Sequence, residues 1–114
     1  MNSDARPLFE TRISFHTLGS HPSDKISFRW CEVPWPFAKI YFYCTHLKIT
    51  LFGIEYRHLN YDKIVYLQKE WFWIKIHHRK SNIGPIYVSG LFPSSFYKRI
   101  TEVIIKNELR IKLK

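Results

Sequence analysis

The chain has 114 residues, 46% of them hydrophobic and 18% aromatic, and carries a formal net charge of +9 at pH 7. This length and composition predict one globular domain and exclude an intrinsically disordered chain. The charge favours an anionic partner, whether nucleic acid, acidic lipid headgroups or an acidic protein, although many basic domains have no such partner.

The sequence also restricts where the protein works. No apolar run approaches the roughly 20 residues that cross a bilayer, and the first residues lack the apolar core of a secretory signal. The two cysteines, Cys31 and Cys44, are too few for a disulfide framework. Both lie in apolar strand-like runs, with Cys44 on the buried side, where cysteine acts as a small hydrophobe. We therefore expect a cytoplasmic protein that meets a membrane only peripherally.

The N-terminal residues are expected to stand apart from the domain. Residues 1–24 are predicted to form a partly ordered arm, and residues 25–114 a single domain. Leu8–Leu18 is too apolar for a simple tail, so Thr11–Leu18 is predicted to be an irregular strand or an arm that covers part of the domain. Gly19–Asp24 supplies the turn chemistry that closes it.

The next residues alternate between apolar and polar side chains, which predicts antiparallel strands with one buried face. Lys25–Val33 and Phe37–Cys44 both show this pattern. Pro34-Trp35-Pro36 separates them and is expected to form a corner, because proline cannot donate to a central ladder.

A run of short strands joined by tight turns is predicted for Leu47–His78. Gly53 is the expected hairpin turn, since glycine accepts a positive φ, and Asn60–Asp62 is the next turn. In the strand after Gly53, alternation places Tyr56 on the buried face and Arg57 on the wet face.

The last strand of this run is predicted to span Trp71–His78, after a polar spacer at Gln68–Glu70. Its buried face comprises Phe72, Ile74 and Ile76, and its wet face Trp71, Trp73, Lys75 and His77. Tyr87, in the final strand Ile86–Gly90, is expected on the same wet face. Two tryptophans aimed at water indicate an interface, unless the N-terminal arm covers them. The interface candidates are Trp71, Trp73, Lys75 and Tyr87.

One amphipathic helix is predicted from about Ser94 to Asn107, with an N-cap in Pro93-Ser94-Ser95. Its apolar stripe contains Phe96, Ile100, Val103 and Ile104. The predicted fold is therefore mainly β, or α+β by element count. It is a small antiparallel, strongly bent barrel or sandwich of six or seven strands, capped by the C-terminal helix.

This order of elements resembles the pleckstrin-homology (PH) superfold and, more narrowly, the small bacterial PH-like domains. The resemblance covers about residues 30–107 and rests on Pro34–Pro36, Leu47–Leu59, Asp62–Val65, Ile74–His78 and Ile86–Val88. It implies a PH-like domain, for which the bacterial members have mostly no assigned function. Some eukaryotic relatives bind phosphoinositides through a basic cluster near the first hairpin. Here the corresponding cations, Lys39, Lys48 and Arg57, are spread out, so that site does not carry over.

The densest basic run is His77-His78-Arg79-Lys80, which could bind phosphate or an acidic partner. Adjacent strand residues face opposite ways, so His77 and His78 are not expected to share a site. The alternative is one buried histidine beside one solvated histidine. The anion-binding candidates are His77, Arg79, Lys80, Lys98, Arg99, Lys106 and Arg110.

No cofactor, metal or catalytic group is predicted. His46 and His58 could approach across their hairpin, but no nearby cysteine or carboxylate completes a zinc site. The sequence also lacks a glycine-rich phosphate loop and a nucleophile elbow.

We therefore expect a non-catalytic binding module that contacts a protein partner or a second copy of itself, as a homodimer, through the aromatic sheet face. The alternative is peripheral binding of anionic lipid or another anionic ligand. Nucleic-acid binding is a third function, because basic residues mixed with aromatic ones suit single strands.

Overall fold

The computed structural model describes residues 6–18, 30–79 and 85–114 of the chain. These residues form a strongly curled, antiparallel seven-stranded half-barrel with one C-terminal helix, which confirms the predicted fold class. The strands are β1 Phe9–Leu18, β2 Trp30–Phe42, β3 His46–Leu51, β4 Ile54–Asn60, β5 Ile64–Glu70, β6 Trp73–His78 and β7 Ile86–Ser89. A 3-10 turn, η1, spans Tyr61–Lys63, and the helix α1 spans Pro93–Lys106.

The sheet has the order β4-β3-β2-β1-β7-β6-β5. Strands β1 to β4 form one antiparallel meander and β5 to β7 form another. The two meanders join where β7 pairs with β1. The short turn η1 connects the two edge strands, β4 and β5, in the chain.

The expected covering arm is the central strand of this sheet. In β1, Phe15 pairs with Val33 of β2 on one side and with Val88 of β7 on the other. Ile13 and Phe15 have no exposed surface. Of the two alternatives for Thr11–Leu18, the strand is confirmed and the covering arm was wrong, because an apolar strand near a terminus can fill the middle of a sheet as well as its edge. The part of the arm before Arg6, and Gly19–Asp24, lie outside the described residues.

The expected corner at Pro34–Pro36 is a bulge inside one continuous strand, β2. Four residues, from Pro34 to Phe37, lie between the paired residues Val33 and Ala38, where β1 supplies only Ser14. The Trp35 amide donates to the Ser14 hydroxyl oxygen at 3.0 Å. Strand β3 pairs with β2 only from Ala38 onward. The prolines therefore occupy no regular ladder position, although they do not end the strand. Lys25–Arg29 of the first predicted strand lie outside the described residues.

The turn predicted at Gly53 is confirmed. Phe52 and Gly53 both have positive φ, 53° and 82°, as a type I′ hairpin turn requires. The Phe52 ring is 64% exposed and stacks on the Phe37 ring, with 5.7 Å between their centroids.

A second bulge changes the faces of β4. The register shifts between Ile49 and Thr50, so Ile49 pairs with Arg57 and Thr50 with Glu55. Tyr56 and Arg57 are consequently both buried, whereas alternation had placed Arg57 on the wet face. The guanidinium lies over the Tyr56 ring at 4.1 Å, and its Nη1 donates to the Tyr56 carbonyl oxygen.

The hairpin between β5 and β6 also differs from the prediction. Glu70 pairs with Trp73, so the polar spacer belongs to β5, and Trp71-Phe72 is a two-residue turn. Phe72 is therefore 58% exposed rather than part of the core. Ile74 and Ile76 are buried as predicted.

The helix stripe is confirmed, because Phe96, Ile100 and Ile104 are buried and Val103 packs at the margin of the core. Phe96 and Ile100 line a small internal space with side chains from both meanders. The predicted serine cap was wrong. Pro93 is the first helical residue, where its fixed φ suits helix entry, and the N-cap is Phe92, without a side-chain hydrogen bond. No helix in the described ranges is long and apolar enough to cross a membrane.

The C-terminal tail covers part of the β5 edge. The Leu67 amide donates to the Lys112 carbonyl oxygen at 2.9 Å, and the Lys114 amide donates to the Leu67 carbonyl oxygen at 2.8 Å. Leu113 thus forms a short parallel bridge with Leu67. Ile111, just before it, is buried.

Two adjacent isoleucines test the position of the helix stripe. Ile104 is 4% exposed and Ile105 is 67% exposed. We expect Ile104→Ala to lower the free energy of unfolding by about 2–4 kcal/mol, because it leaves a cavity in the core. The matched Ile105→Ala should change it by less than about 0.5 kcal/mol. Urea denaturation measures both, and equal losses would show that α1 presents a different face.

Candidate functional site

The most exposed apolar side chains of the β5–β7 meander lie at one of its ends, in the turn before β6 and in the loop that leads from β7 to α1. Because Ile74 pairs with Val88, the turn before β6 lies beside the loop after β7. That turn and loop carry Trp71, Phe72, Leu91 and Phe92, with exposed fractions of 85%, 58%, 56% and 70%. We call these four residues the apolar tip. Exposed apolar clusters of this kind mark contact sites.

The base of the apolar tip is tightly packed. A Cβ on Gly90 would lie 2.9 Å from the Phe96 Cβ, so only glycine permits this approach of the loop to the helix. The Phe96 amide donates to the Phe92 carbonyl oxygen at 2.9 Å, which joins the loop to the first turn of α1. Tyr97 lies against the β5–β6 turn. The exposed side chains are thus held by backbone that is itself fixed.

The predicted aromatic face divides into two parts. Trp73, Lys75 and Tyr87 share the outer face of the sheet, as predicted. The His16 ring lies there between its neighbours, 5.9 Å from the Trp73 ring and 5.5 Å from the Tyr87 ring. The Lys75 ammonium lies 5.6 Å from the Tyr87 centroid. Trp71 does not belong to this face, because it lies in the turn. The N-terminal residue that contacts the Trp73 ring is His16, which belongs to β1 of the sheet and not to an arm lying over its outer face.

At the other end of the β5–β6 hairpin, a shallow depression of about 350 Å³ is lined by Tyr66, Lys75, His77, His78 and Pro85, with Val65 and Ile76 behind them. The Tyr66 and His77 rings lie 4.0 Å apart, and the Lys114 ammonium lies 4.6 Å from the Tyr66 centroid. We call this site, including Lys114, the basic depression. His77 and His78 both line it, contrary to the expectation that adjacent strand residues would not share a site. They lie at the end of β6, where its pairing with β5 shifts register between Ile64 and Tyr66.

The surroundings of His77 disfavour its protonation. Burial lowers the pKa of His77 from 6.5, and the positive charges of Lys75, Lys114 and His78 lower it further, against an opposing effect of Glu70. Its Nε2 lies 3.0 Å from the Gln68 Oε1. The site is thus electropositive even while the imidazole is neutral.

The remaining anion candidates are not brought to this depression. Arg99 lies over the Phe9 ring at 5.0 Å. Arg110 lines a separate cavity of about 590 Å³, together with Asp62, Glu108 and Cys44. Lys98, Lys106 and Arg79 are exposed, and Lys80 lies outside the described residues. The candidates therefore form no single cationic surface within the described part of the chain.

Cys44 is exposed, which corrects its expected burial. The strand β2 ends at Phe42, so the alternation that places Ile40 and Phe42 inside does not extend to Cys44.

The expected approach of His46 and His58 is confirmed. Their rings stack at 4.3 Å and 9°, and the Tyr43 ring stacks on His46 at 4.6 Å. Parallel rings direct their nitrogen lone pairs side by side rather than toward one point, so this pair is not a chelating arrangement. Over residues 6–18, 30–79 and 85–114, no group of three or more His, Cys, Asp or Glu side chains is placed to hold a metal ion.

Comparison with the models of known protein families found no match, and a search of the curated proteins also found none.

Sequence analysis did not identify several residues of these sites. Phe72 was assigned to the core because a pair of aromatic residues gives no turn signal. Leu91 and Phe92 lie between Gly90 and Pro93. These two flanking residues, which commonly end strands and helices, were the sequence signal that could have indicated a loop. Tyr66 and Lys114 come from distant segments, so only the fold brings them together.

The stacked histidines give a pH-dependent test. Burial lowers the pKa of His46 from 6.5, and the positive charges of His58 and Lys48 lower it further. Stability from neutral His46 is therefore present above pH 6.5 and lost as the pH falls through the folded-state pKa. We expect His58→Gln to raise the pKa of His46 toward 6.5, measured by NMR titration of the ring. An unchanged or lower pKa would contradict the coupling.

Proposed function

We propose that the protein is a non-catalytic binding module that docks its apolar tip on an anionic membrane surface from the cytoplasmic side. The observation that carries the proposal is the exposure of Trp71 and Phe92, which lie on adjacent connections and are 85% and 70% accessible to water. The PH-like resemblance is consistent with a binding role, although the fold by itself indicates no ligand.

The shape of the apolar tip favours a soft surface over a flat protein interface. Its side chains project from a two-residue turn and a short loop, and Trp71 contacts Phe72 edge to face at 5.6 Å. Aromatic side chains that project in this way can enter the boundary between headgroups and acyl chains, where Trp and Tyr are enriched in membrane proteins.

The charge of the chain supports the same surface. A net charge of +9 attracts the protein to acidic lipids. Lys69 lies at the base of the apolar tip, beside Glu70. Apolar insertion and long-range attraction together supply the two contributions that peripheral binding usually needs.

The arrangement of the interface candidates disfavours contact with a protein partner, or with a second copy of the chain, through the aromatic sheet face. Three of the four candidates, Trp73, Lys75 and Tyr87, share the outer face of the sheet, whereas Trp71 lies apart from them in the turn. Nucleic-acid binding remains a prediction.

Vesicle sedimentation tests the proposal. The protein should bind vesicles that contain phosphatidylserine more tightly than vesicles of phosphatidylcholine alone, and added salt should weaken the binding. We expect Trp71→Ser and Phe92→Ser each to weaken partitioning about tenfold. Full burial of one large apolar side chain contributes about 1.5–3 kcal/mol, and about 1.4 kcal/mol corresponds to a factor of ten.

Phe37→Ser is the matched control, because Phe37 is 52% exposed but lies beside Phe52, outside the apolar tip. An equal loss in the control, or no loss in Trp71→Ser, would contradict docking by the tip. Light scattering should show a monomer in free solution. A dimer that dissociates in Trp71→Ser would instead assign the tip to self-association.

A further inference from the structure

We propose that the basic depression binds a compact phosphate-bearing anion, either a small phosphorylated molecule or a phosphorylated headgroup. Its volume of about 350 Å³ is in the range of small-ligand sites. The proposal goes beyond membrane docking by the apolar tip and does not rest on it, since the depression is lined by other residues.

Two ammonium groups at the depression are held in place without being neutralised. Lys75 lies 5.6 Å from the Tyr87 centroid, and Lys114 lies 4.6 Å from the Tyr66 centroid. A cation over an aromatic ring is attracted to it but keeps its full charge. The ion pair among the described residues joins Lys39 and Glu10, elsewhere on the sheet, and involves neither of these two lysines. Both lysines can therefore contribute charge to a ligand.

The donors available at the site suit phosphate. Lysine is a common point-charge ligand of phosphate, and a phosphate monoester offers three strong acceptor oxygens and close to two negative charges at pH 7. His77 lines the same wall, and its imidazole becomes a further donor when it is protonated. A dianion can use several converging donors at once, whereas a carboxylate offers fewer oxygens and one charge.

The distribution of the other cations favours a compact ligand over an extended polyanion. Arg99 lies over Phe9, and Arg110 lines the cavity that contains Asp62 and Glu108. Nucleic acid would need a continuous row of phosphate contacts, whereas the depression gathers its charge at one point.

His77 offers a direct readout of binding. The charged groups that face it are Lys75 and His78 on β6, Lys114 on the tail and Glu70 on β5, and the Tyr66 ring packs on it. An anion bound beside His77 should favour the imidazolium form. The pKa of His77 should therefore rise when the site is filled, and it should stay constant if the anion binds elsewhere.

The first experiment is an NMR titration of the full chain with inorganic phosphate, at low and constant ionic strength maintained with chloride. His77→Gln identifies the His77 ring signals. We expect saturable shifts of these signals and a raised pKa. Shifts that match those in chloride alone would overturn the proposal.

The second experiment uses surface variants that should not perturb folding. Lys75→Ala and Lys114→Ala should each weaken phosphate binding by about two- to fivefold, the range of a partly exposed ion pair. Lys98→Ala removes an exposed helix cation of equal charge and should leave binding unchanged. An equal loss in all three variants would indicate a nonspecific effect of net charge and would overturn the site.

A third experiment separates the two ligand sources and the two proposals. Glycerol phosphate represents the free ligand, and vesicles of phosphatidate in phosphatidylcholine represent the headgroup. Loss of either interaction in Lys75→Ala but not in Lys98→Ala supports the depression and identifies the source. Trp71→Ser should keep phosphate binding in solution, so failure of membrane docking leaves this inference standing. No lysine-dependent binding to either probe would overturn it.

Discussion

The structure depends on the pairing of β1 on both of its edges. Phe15 pairs with Val33 on one side and Val88 on the other, which joins the first four strands to the last three. Without β1, strands β2 to β4 and strands β5 to β7 would each have an unpaired edge, and each group would expose the core side chains that it contributes. A small group of strands needs an apolar face that is buried, or a helix packed against it, to be stable on its own. The strand that joins them is therefore also the condition for the concave surface on which α1 packs.

The sites follow from how the second meander is held. The β5–β6 hairpin is fixed along one edge by β7, and part of its other edge is bonded to the C-terminal tail. Gly90 lets the loop after β7 lie close to Phe96, and the pairing of β6 with β7 places Leu91 and Phe92 beside the turn of the hairpin. The apolar tip is thus built by backbone packing, and the exposure of its side chains is compatible with a well-packed core beneath it.

Sequence patterns predicted the elements where periodicity was regular. Ile74 and Ile76 alternate without interruption, and Phe96, Ile100 and Ile104 follow helical spacing, so their burial was correctly predicted. The patterns failed where one strand holds extra residues. The bulge beside Tyr56 buries two consecutive side chains, and no local signal announces it. Of the site, the outer face of Trp73, Lys75 and Tyr87 was predictable from alternation. The contributions of Leu91, Phe92 and Lys114 were not, because they depend on which distant segments become neighbours.

The hairpin that carries both sites has a fixed length. Trp73 borders the turn and His77 lines the depression, and four residues of a strand extend about 13 Å. A small ligand at one end therefore cannot touch the other. Under the two proposals, a membrane surface at the apolar tip and a compact phosphate-bearing ligand in the basic depression would therefore not compete for the same residues.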